Sequence, residues 1–232
     1  MEKMKRFVQN ELEGWHKWEV LWLFVACATI CGLSIYWGDT LMGIVSATTG
    51  VACVVCTGKG KLSAYLFGAI NTLLYAIIAY HAKYYGEVML NALYYFPMQF
   101  YGFYVWKKHM NQETHEVEKR RMTAKDRGVL VLSTAAATAA YGFALQCMGG
   151  SLPYVDAFST VISVAAMIVS IQMYMEQWMM WIVVDIVTVF MWAVAFANGN
   201  DSIATLLMWI VYLGNAFIMY FKWKAEVRSH EV

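Results

Sequence analysis

The stretch that decides the fold reads DTLMGIVSATTG at residues 39–50, and its counterpart reads DAFSTVISVAAM at residues 156–167. A shift of 117 positions, without a gap, aligns residues 39–107 with residues 156–224, and the hydrophobic segments then coincide along the whole length. Internal repeats with a site between the halves are typical of transporters, although duplication for structural reasons alone gives the same pattern. The sparse identical pairs include Asp39 with Asp156, Ser46 with Ser163, Ala76 with Ala193, Leu90 with Leu207, Tyr95 with Tyr212, Phe100 with Phe217 and Trp106 with Trp223.

The composition indicates a membrane protein. Of the 232 residues, 60% are hydrophobic and 14% are charged, whereas soluble domains contain about 25% charged residues. A membrane-spanning helix needs about 20 predominantly apolar residues. The longest polar stretch, residues 107–127, leaves no room for a soluble catalytic domain. Eight segments are apolar enough to span a membrane: 20–37, 40–57, 62–80, 87–106, 127–146, 154–172, 177–197 and 202–221.

Lysine and arginine are distributed unequally between the two ends of these segments. The N-terminal segment, the loops after the second, fourth and sixth segments, and the C-terminal tail together contain 16 of them. The opposite loops contain only Lys83. Because cationic residues are retained in cytoplasmic loops, we expect both termini to be cytoplasmic and the number of spans to be even.

These patterns predict an all-α polytopic membrane protein with eight transmembrane helices. The repeat offset covers four helices, so the two copies have the same orientation and the repeats are parallel. Two triple-helix repeats joined by a linker helix give a 3+1+3 arrangement, preceded by one extra N-terminal helix. The expected parts are a cytoplasmic interfacial segment (1–19), the extra helix (20–37), the first triple-helix repeat (39–107), a cytoplasmic connector with the linker helix (108–146) and the second triple-helix repeat (154–224).

Polar and aromatic residues share one face of the seventh segment. An ionised carboxylate at membrane depth costs about 2.5–3.5 kcal/mol on insertion scales, so Asp185 should face a polar interior. Indoles beside a polar acceptor suit a flat, cationic, hydroxylated ligand, whereas tryptophans near the membrane surface often form an interfacial belt. The face, with helical spacings of 3 and 4 residues, consists of Trp178, Trp181, Asp185, Thr188 and Trp192.

Matching faces of the third, fourth and eighth segments carry further polar and aromatic residues. A surface that faces lipid would not require them. Amides in spanning helices can act purely as hydrogen bonds between helices, but four amides that each have an aromatic neighbour favour a substrate-binding site. The residues are Asn71, Tyr75, Asn91, Tyr95, Gln99, Tyr212 and Asn215.

The motifs of soluble and membrane enzymes are absent from the sequence. There is no glycine-rich phosphate loop, HExxH motif or serine elbow. Cys53 and Cys56 form a CxxC motif without a histidine or a second pair at ligand spacing, so we interpret them as packing residues. We therefore expect no catalytic residue, no metal, no cofactor and no nucleic-acid partner. A membrane receptor or enzyme that uses the same cavity is the alternative.

Three motifs resemble those of the PnuC nicotinamide riboside transporters. The first resembles the signature helix of that family, and the other two lie on the candidate faces. The resemblance covers roughly residues 39–224. The motifs are NALYYFPMQFYGFYVW at residues 91–106, WxxWxxxD at residues 178–185, and NxxxY at residues 71–75 before YYG at residues 84–86.

The resemblance implies a bacterial inner-membrane carrier with the 3+1+3 plan of the SWEET sugar transporters, assembled in the lipid bilayer as a homotrimer. It also implies facilitated diffusion (uniport) of nicotinamide riboside, which a cytoplasmic riboside kinase traps by phosphorylation for NAD biosynthesis. Carriers of riboflavin or thiamine share this plan and are the alternative within the family. Stacking is expected from Trp181, Trp192, Tyr75 and Tyr95, and hydrogen bonds from Asn71, Asn91, Gln99, Asp185 and Asn215.

Overall fold

A computed structural model describes residues 2–148, 153–199 and 203–230 of the chain. These residues form ten α-helices and one π-helical turn, and none of them belongs to a β-sheet. The all-α prediction is confirmed. In chain order the elements are α1 (Glu2–Leu12), α2 (Lys17–Tyr36), α3 (Leu41–Lys59), α4 (Ser63–His81), α5 (Tyr85–Met89), the π turn (Leu90–Tyr95), α6 (Phe96–Lys108), α7 (Ala124–Cys147), α8 (Pro153–Ile171), α9 (Gln177–Ala197) and α10 (Ile203–His230).

Within the described residues, seven helices, α2 to α4 and α7 to α10, are long and apolar enough to cross a membrane. The fourth predicted segment is instead built from α5, the π turn and α6, which follow one another without a break. Pro97 stands at the start of α6, where it removes a backbone donor. The neighbouring N–H of Phe96 donates to the carbonyl of Asn91, five residues back. The wider turn therefore maintains backbone pairing next to the proline.

The last helix extends beyond the end that hydropathy predicted. α10 has 28 residues, and at a rise of about 1.5 Å per residue it exceeds a hydrocarbon core of about 30 Å. Lys119 Nζ lies 2.6 Å from Glu226 Oε2, so an ion pair holds the additional turns. The predicted segment ended at residue 221, where the apolar residues give way to charged ones. The helix continues because charged residues such as lysine and glutamate also form helices readily.

The chain divides into two compact units, of residues 1–118 with 188–215 and of residues 119–187 with 216–232. In the first unit, small and β-branched residues of α2 and α3 pack against Tyr75 of α4 and Trp192 of α9. In the second unit, Trp178 and Trp223 form the centre of an apolar cluster. Each unit thus contains a core with large aromatic side chains.

Charged groups join α1, the turn between α3 and α4, and the connector in the first unit. Lys59 Nζ lies 3.2 Å from Glu19 Oε2 and 3.1 Å from Glu116 Oε1. The side chains of Lys59 and Glu19 are only 5% and 1% exposed. Lys61 Nζ donates to backbone carbonyls of α1 and the connector, and burial lowers its pKa although nearby glutamates oppose that shift. Lys59 and Lys61 are therefore both buried together with polar partners.

Replacing Lys59 tests the contribution of this ion cluster. Lys59→Met leaves the Glu19 and Glu116 carboxylates without their cation, and breaking a buried ion pair typically costs about 3–5 kcal/mol. We expect a clear fall in the melting temperature of the purified protein. Lys17→Met, at an exposed position, is the matched control and should melt like the parent. Glu19→Gln added to Lys59→Met should recover part of the loss; equal melting of the two single variants would contradict a stabilising role.

Candidate functional site

The amide of Asn71 lies inside the first unit, where α3, α4 and α10 approach one another. Its Nδ2 donates to the carbonyl of Ser46 at 2.8 Å and lies 3.4 Å from Met208 Sδ. The Tyr212 hydroxyl donates to its Oδ1 at 3.4 Å. A β-carbon at Gly50 would collide with the Tyr212 hydroxyl and would lie 2.7 Å from Asn71 Nδ2. The missing side chain of Gly50 thus allows these groups to meet.

Tyr75 and Trp192, which the repeat places at equivalent positions, meet in the same unit. The Trp192 indole N–H donates to the Tyr75 hydroxyl oxygen at 2.8 Å, and each residue is only 1% exposed. The ring of Trp209 lies 5.7 Å from that of Tyr75, and the ring of Tyr84 lies 5.4 Å from that of Trp192. Edge-on pairs of this kind contribute about 0.5–1.5 kcal/mol each. Trp192 is therefore an interior residue and not part of an interfacial belt.

Glu87 is a carboxylate in the site that the sequence analysis missed. It accepts a hydrogen bond from the Asn91 amide, with Nδ2 and Oε2 3.3 Å apart, and the Tyr75 hydroxyl lies near it. The pair of Glu87 and Asn91 therefore lies beside the pair of Trp192 and Tyr75. The available signal was the spacing of four residues between Glu87 and Asn91, which puts them on one helical face.

Gln99 extends from α6 to Gly68 of α4 in the first unit. Its side chain is buried, and a β-carbon at Gly68 would collide with it. Among the described residues, none forms a hydrogen bond with the Gln99 amide. A buried polar group without a partner costs about 1–3 kcal/mol, so this position favours a polar ligand.

The remaining predicted residues of the first unit lie on α9, α10 and the π turn. Asn215 is fully buried; its Nδ2 donates to the carbonyl of Val54 at 3.1 Å. Its Oδ1 has no hydrogen-bond partner in the part of the chain that the structure describes. Thr188 is buried, and Tyr95 is half-buried, with its ring 5.5 Å from that of Tyr94. Asn215 thus has one polar atom paired and one unpaired.

The second unit contains Trp178, Trp181 and Asp185, on the first half of α9. Trp178 is buried and packs edge-on against Trp223, with ring centroids 5.7 Å apart. Trp181 packs against the same apolar cluster. Asp185 is 3% exposed, and no hydrogen bond from the described residues reaches its carboxyl group. The predicted face of α9 therefore includes a buried carboxyl group that is not paired within these residues.

The described ranges contain no cluster of side chains suited to binding a metal ion. No group of three or more His, Cys, Asp or Glu side chains within them is arranged to hold a metal ion. All five cysteines are free thiols. The sulfur atom of Cys53 instead packs beside Gly68, in agreement with the interpretation of Cys53 as a packing residue.

The sequence of the chain matches a known family. The model of a family described as nicotinamide mononucleotide transporter matches residues 40–225. The chain belongs to this family. The prediction that it is a membrane transporter and not an enzyme is therefore confirmed, as is its multi-pass character.

Individual relatives cover nearly the whole chain. A protein of Neisseria mucosa named nicotinamide riboside transporter PnuC is 40% identical over 94% of this chain and 84% of its own. A protein of Haemophilus influenzae with the same name is 32% identical over 96% of both chains. A crystal structure of the vitamin B3 transporter PnuC has a TM-score of 0.88 and 38% identity, and covers 97% of this chain and 98% of that one. The resemblance to PnuC proteins is thus confirmed.

Gly50→Ala tests whether the close approach positions Asn71 and Tyr212. In an open helix, alanine stabilises by about 1 kcal/mol relative to glycine, but here the new methyl group displaces the Tyr212 hydroxyl. We expect a lower melting temperature for Gly50→Ala. Gly32→Ala is the matched control, since its β-carbon meets nothing within 4 Å, and it should melt at or above the parent temperature. Similar melting of both variants would refute the packing role of Gly50.

Proposed function

We propose that this chain carries nicotinamide riboside across a bacterial inner membrane by facilitated diffusion. The observation that carries this proposal is 40% identity, over 94% of the chain, to a protein named for nicotinamide riboside transport. The buried amides, aromatic rings and carboxyl groups of both units support it. They provide the types of contact that a pyridinium riboside requires.

The charge of the candidate residues favours the riboside over the mononucleotide in the family description. The mononucleotide carries a phosphate, which proteins usually bind with arginine, lysine or helix N-termini. The candidate residues include no lysine or arginine. They include Asp185, and Glu87 hydrogen-bonds to one of them, Asn91. A cationic base on an uncharged sugar is therefore the better electrostatic match.

We assign the contacts with the ligand according to side-chain chemistry. Indole and phenol rings stack on the cationic base, while amides and a carboxyl group bind the ribose hydroxyls and the carboxamide. Polar atoms of Gln99, Asp185 and Asn215 without hydrogen bonds among the described residues support this assignment. The stacking residues are Trp181, Trp192, Tyr75 and Tyr95; the hydrogen-bonding residues are Asn71, Asn91, Gln99, Asp185 and Asn215; Trp178, Thr188 and Tyr212 complete the site.

In the proposed membrane arrangement, eight spans form the 3+1+3 plan after the extra N-terminal helix. The unbroken helical course from residue 85 to residue 108 supports an eighth crossing. Both termini are cytoplasmic in this arrangement, in accordance with the distribution of lysine and arginine. The assembly is a homotrimer, as the resemblance to PnuC proteins implies. The domain boundaries are those expected from the repeat.

Transport by this chain is uncoupled from ions in our proposal, and a cytoplasmic riboside kinase makes uptake unidirectional by phosphorylating the product. Uptake into sealed vesicles that contain only this protein tests the mode of transport. Labelled nicotinamide riboside should equilibrate without any gradient, and a proton or sodium gradient should not change the final level. Accumulation above equilibrium would refute uniport; Glu87 and Asp185 make protons the first ion to examine. An empty lumen despite binding would indicate a receptor.

Competition in the same vesicles identifies the substrate. Unlabelled nicotinamide riboside should suppress uptake, whereas nicotinamide mononucleotide, riboflavin and thiamine at equal concentration should have little effect. Stronger suppression by one of these three would assign the chain to that ligand. The distinction from the mononucleotide is the sharpest, because the two ligands differ by a phosphate group.

Gln99→Ala tests the contact of the buried amide with the ligand. The expected loss of affinity is about 1–3 kcal/mol, the usual cost of leaving a polar partner unpaired, and binding calorimetry measures it. The melting temperature should stay near that of the parent. Gln9→Ala, at an exposed position of α1, should bind normally. A large loss of stability with unchanged affinity would assign Gln99 to helix packing instead.

A further inference from the structure

A cavity of about 800 Å³ lies in the second unit, outside the proposed substrate-binding residues, between α7, α8, α9 and α10. Its volume falls within the range of about 300–1,000 Å³ that is usual for small-molecule sites. Its wall is almost entirely apolar. Val131, Met179 and Val183 line it and are 66%, 48% and 37% exposed. The cavity therefore opens at the surface of the unit and suits a hydrocarbon chain.

Close contacts hold α7 toward each of its two ends. Near the C-terminal end, a β-carbon at Gly142 would collide with the ring of Tyr154 on α8. Near the N-terminal end, Arg127 Nη2 lies 2.7 Å from Glu176 Oε1. The middle of α7 presents small residues to the cavity, among them Ala139. These side chains leave a gap between the two anchored ends.

One end of the cavity is cationic. Arg121, Arg127, Lys224 and Arg228 line it, and Glu176 is the one carboxylate among the lining residues. Glu176 is paired with Arg127. Lys224 Nζ lies 5.5 Å from the centre of the Tyr220 ring. Lys224 and Arg228 thus give this end a positive charge that an anionic group would neutralise.

We propose that the cavity binds an anionic phospholipid of the surrounding membrane. The phosphate lies at Lys224 and Arg228, and an acyl chain lies along the apolar wall toward Ala139. Charge complementarity selects the anionic headgroup, and the apolar wall selects a lipid over a free anion. Basic pockets between transmembrane helices on the cytoplasmic side recognise anionic headgroups in this way. This site is separate from the residues assigned to nicotinamide riboside.

Native mass spectrometry of the full-length protein in detergent tests the proposal. The protein is titrated with phosphatidylglycerol or phosphatidylcholine at equal concentration, and the bound lipids are counted. We expect preferential binding of phosphatidylglycerol that weakens with salt, because salt screens exposed charges. Arg228→Gln should weaken it about fivefold, the effect of roughly one basic residue near anionic lipid. Lys125→Gln, an exposed cation of α7 that does not line the cavity, should have no effect.

A second pair of variants tests the apolar part of the cavity. Ala139→Phe fills the gap and should abolish tight binding of phosphatidylglycerol, whereas Ala136→Phe, exposed and outside the cavity wall, should bind like the parent. Equal binding of the two lipids, or variants that match their controls, would overturn the proposal. Displacement of phosphatidylglycerol by inorganic phosphate would reduce the site to an anion site. A change of oligomeric mass in Ala139→Phe, with unchanged lipid binding, would make this surface an interface between copies.

Discussion

The close approach of α3 at Gly50 is the contact on which the interior of the first unit depends. Without a side chain there, Asn71 reaches the Ser46 carbonyl, and Tyr212 reaches Asn71. Between membrane helices the lipid is as apolar as the side chains, so packing of small residues and hydrogen bonds must hold the helices together. One glycine therefore determines both the fit of three helices and the position of an amide assigned to the ligand.

The π turn solves a related problem in the segment from residue 85 to residue 108. Pro97 removes a backbone donor, and a buried backbone group that is left unpaired costs free energy. The wider turn restores pairing through the Phe96 N–H, and the same turn carries Asn91, which binds Glu87. Single π turns inside helices often mark functional sites. Here the π turn and the hydrogen-bonded pair of Glu87 and Asn91 overlap in sequence. The segment therefore differs from a regular apolar helix in both its backbone and its side chains.

Hydropathy predicted most of the helices because length and apolar content are local properties. The repeat went further, since it related Tyr75 to Trp192 before the structure joined them by a hydrogen bond of 2.8 Å. The function of Glu87 could not be read in the same way. Its spacing from Asn91 is local, but only tertiary packing brings Tyr75 of α4 near it. The length of α10 escaped prediction for a similar reason, because an ion pair from Lys119 holds its charged end.

The placement of charge connects the orientation of the chain with the chemistry of its ligands. Lysine and arginine lie near the ends of the helices, where Lys59 is paired with carboxylates and Arg127 with Glu176. In contrast, one of the predicted binding residues, Asp185, carries a carboxyl group, and the carboxylate of Glu87 hydrogen-bonds to another, Asn91. A cation at depth would repel a pyridinium base, whereas a carboxyl group attracts it. The same segregation that keeps cations at the helix ends thus leaves an interior suited to a cationic ligand and helix ends suited to anionic ones.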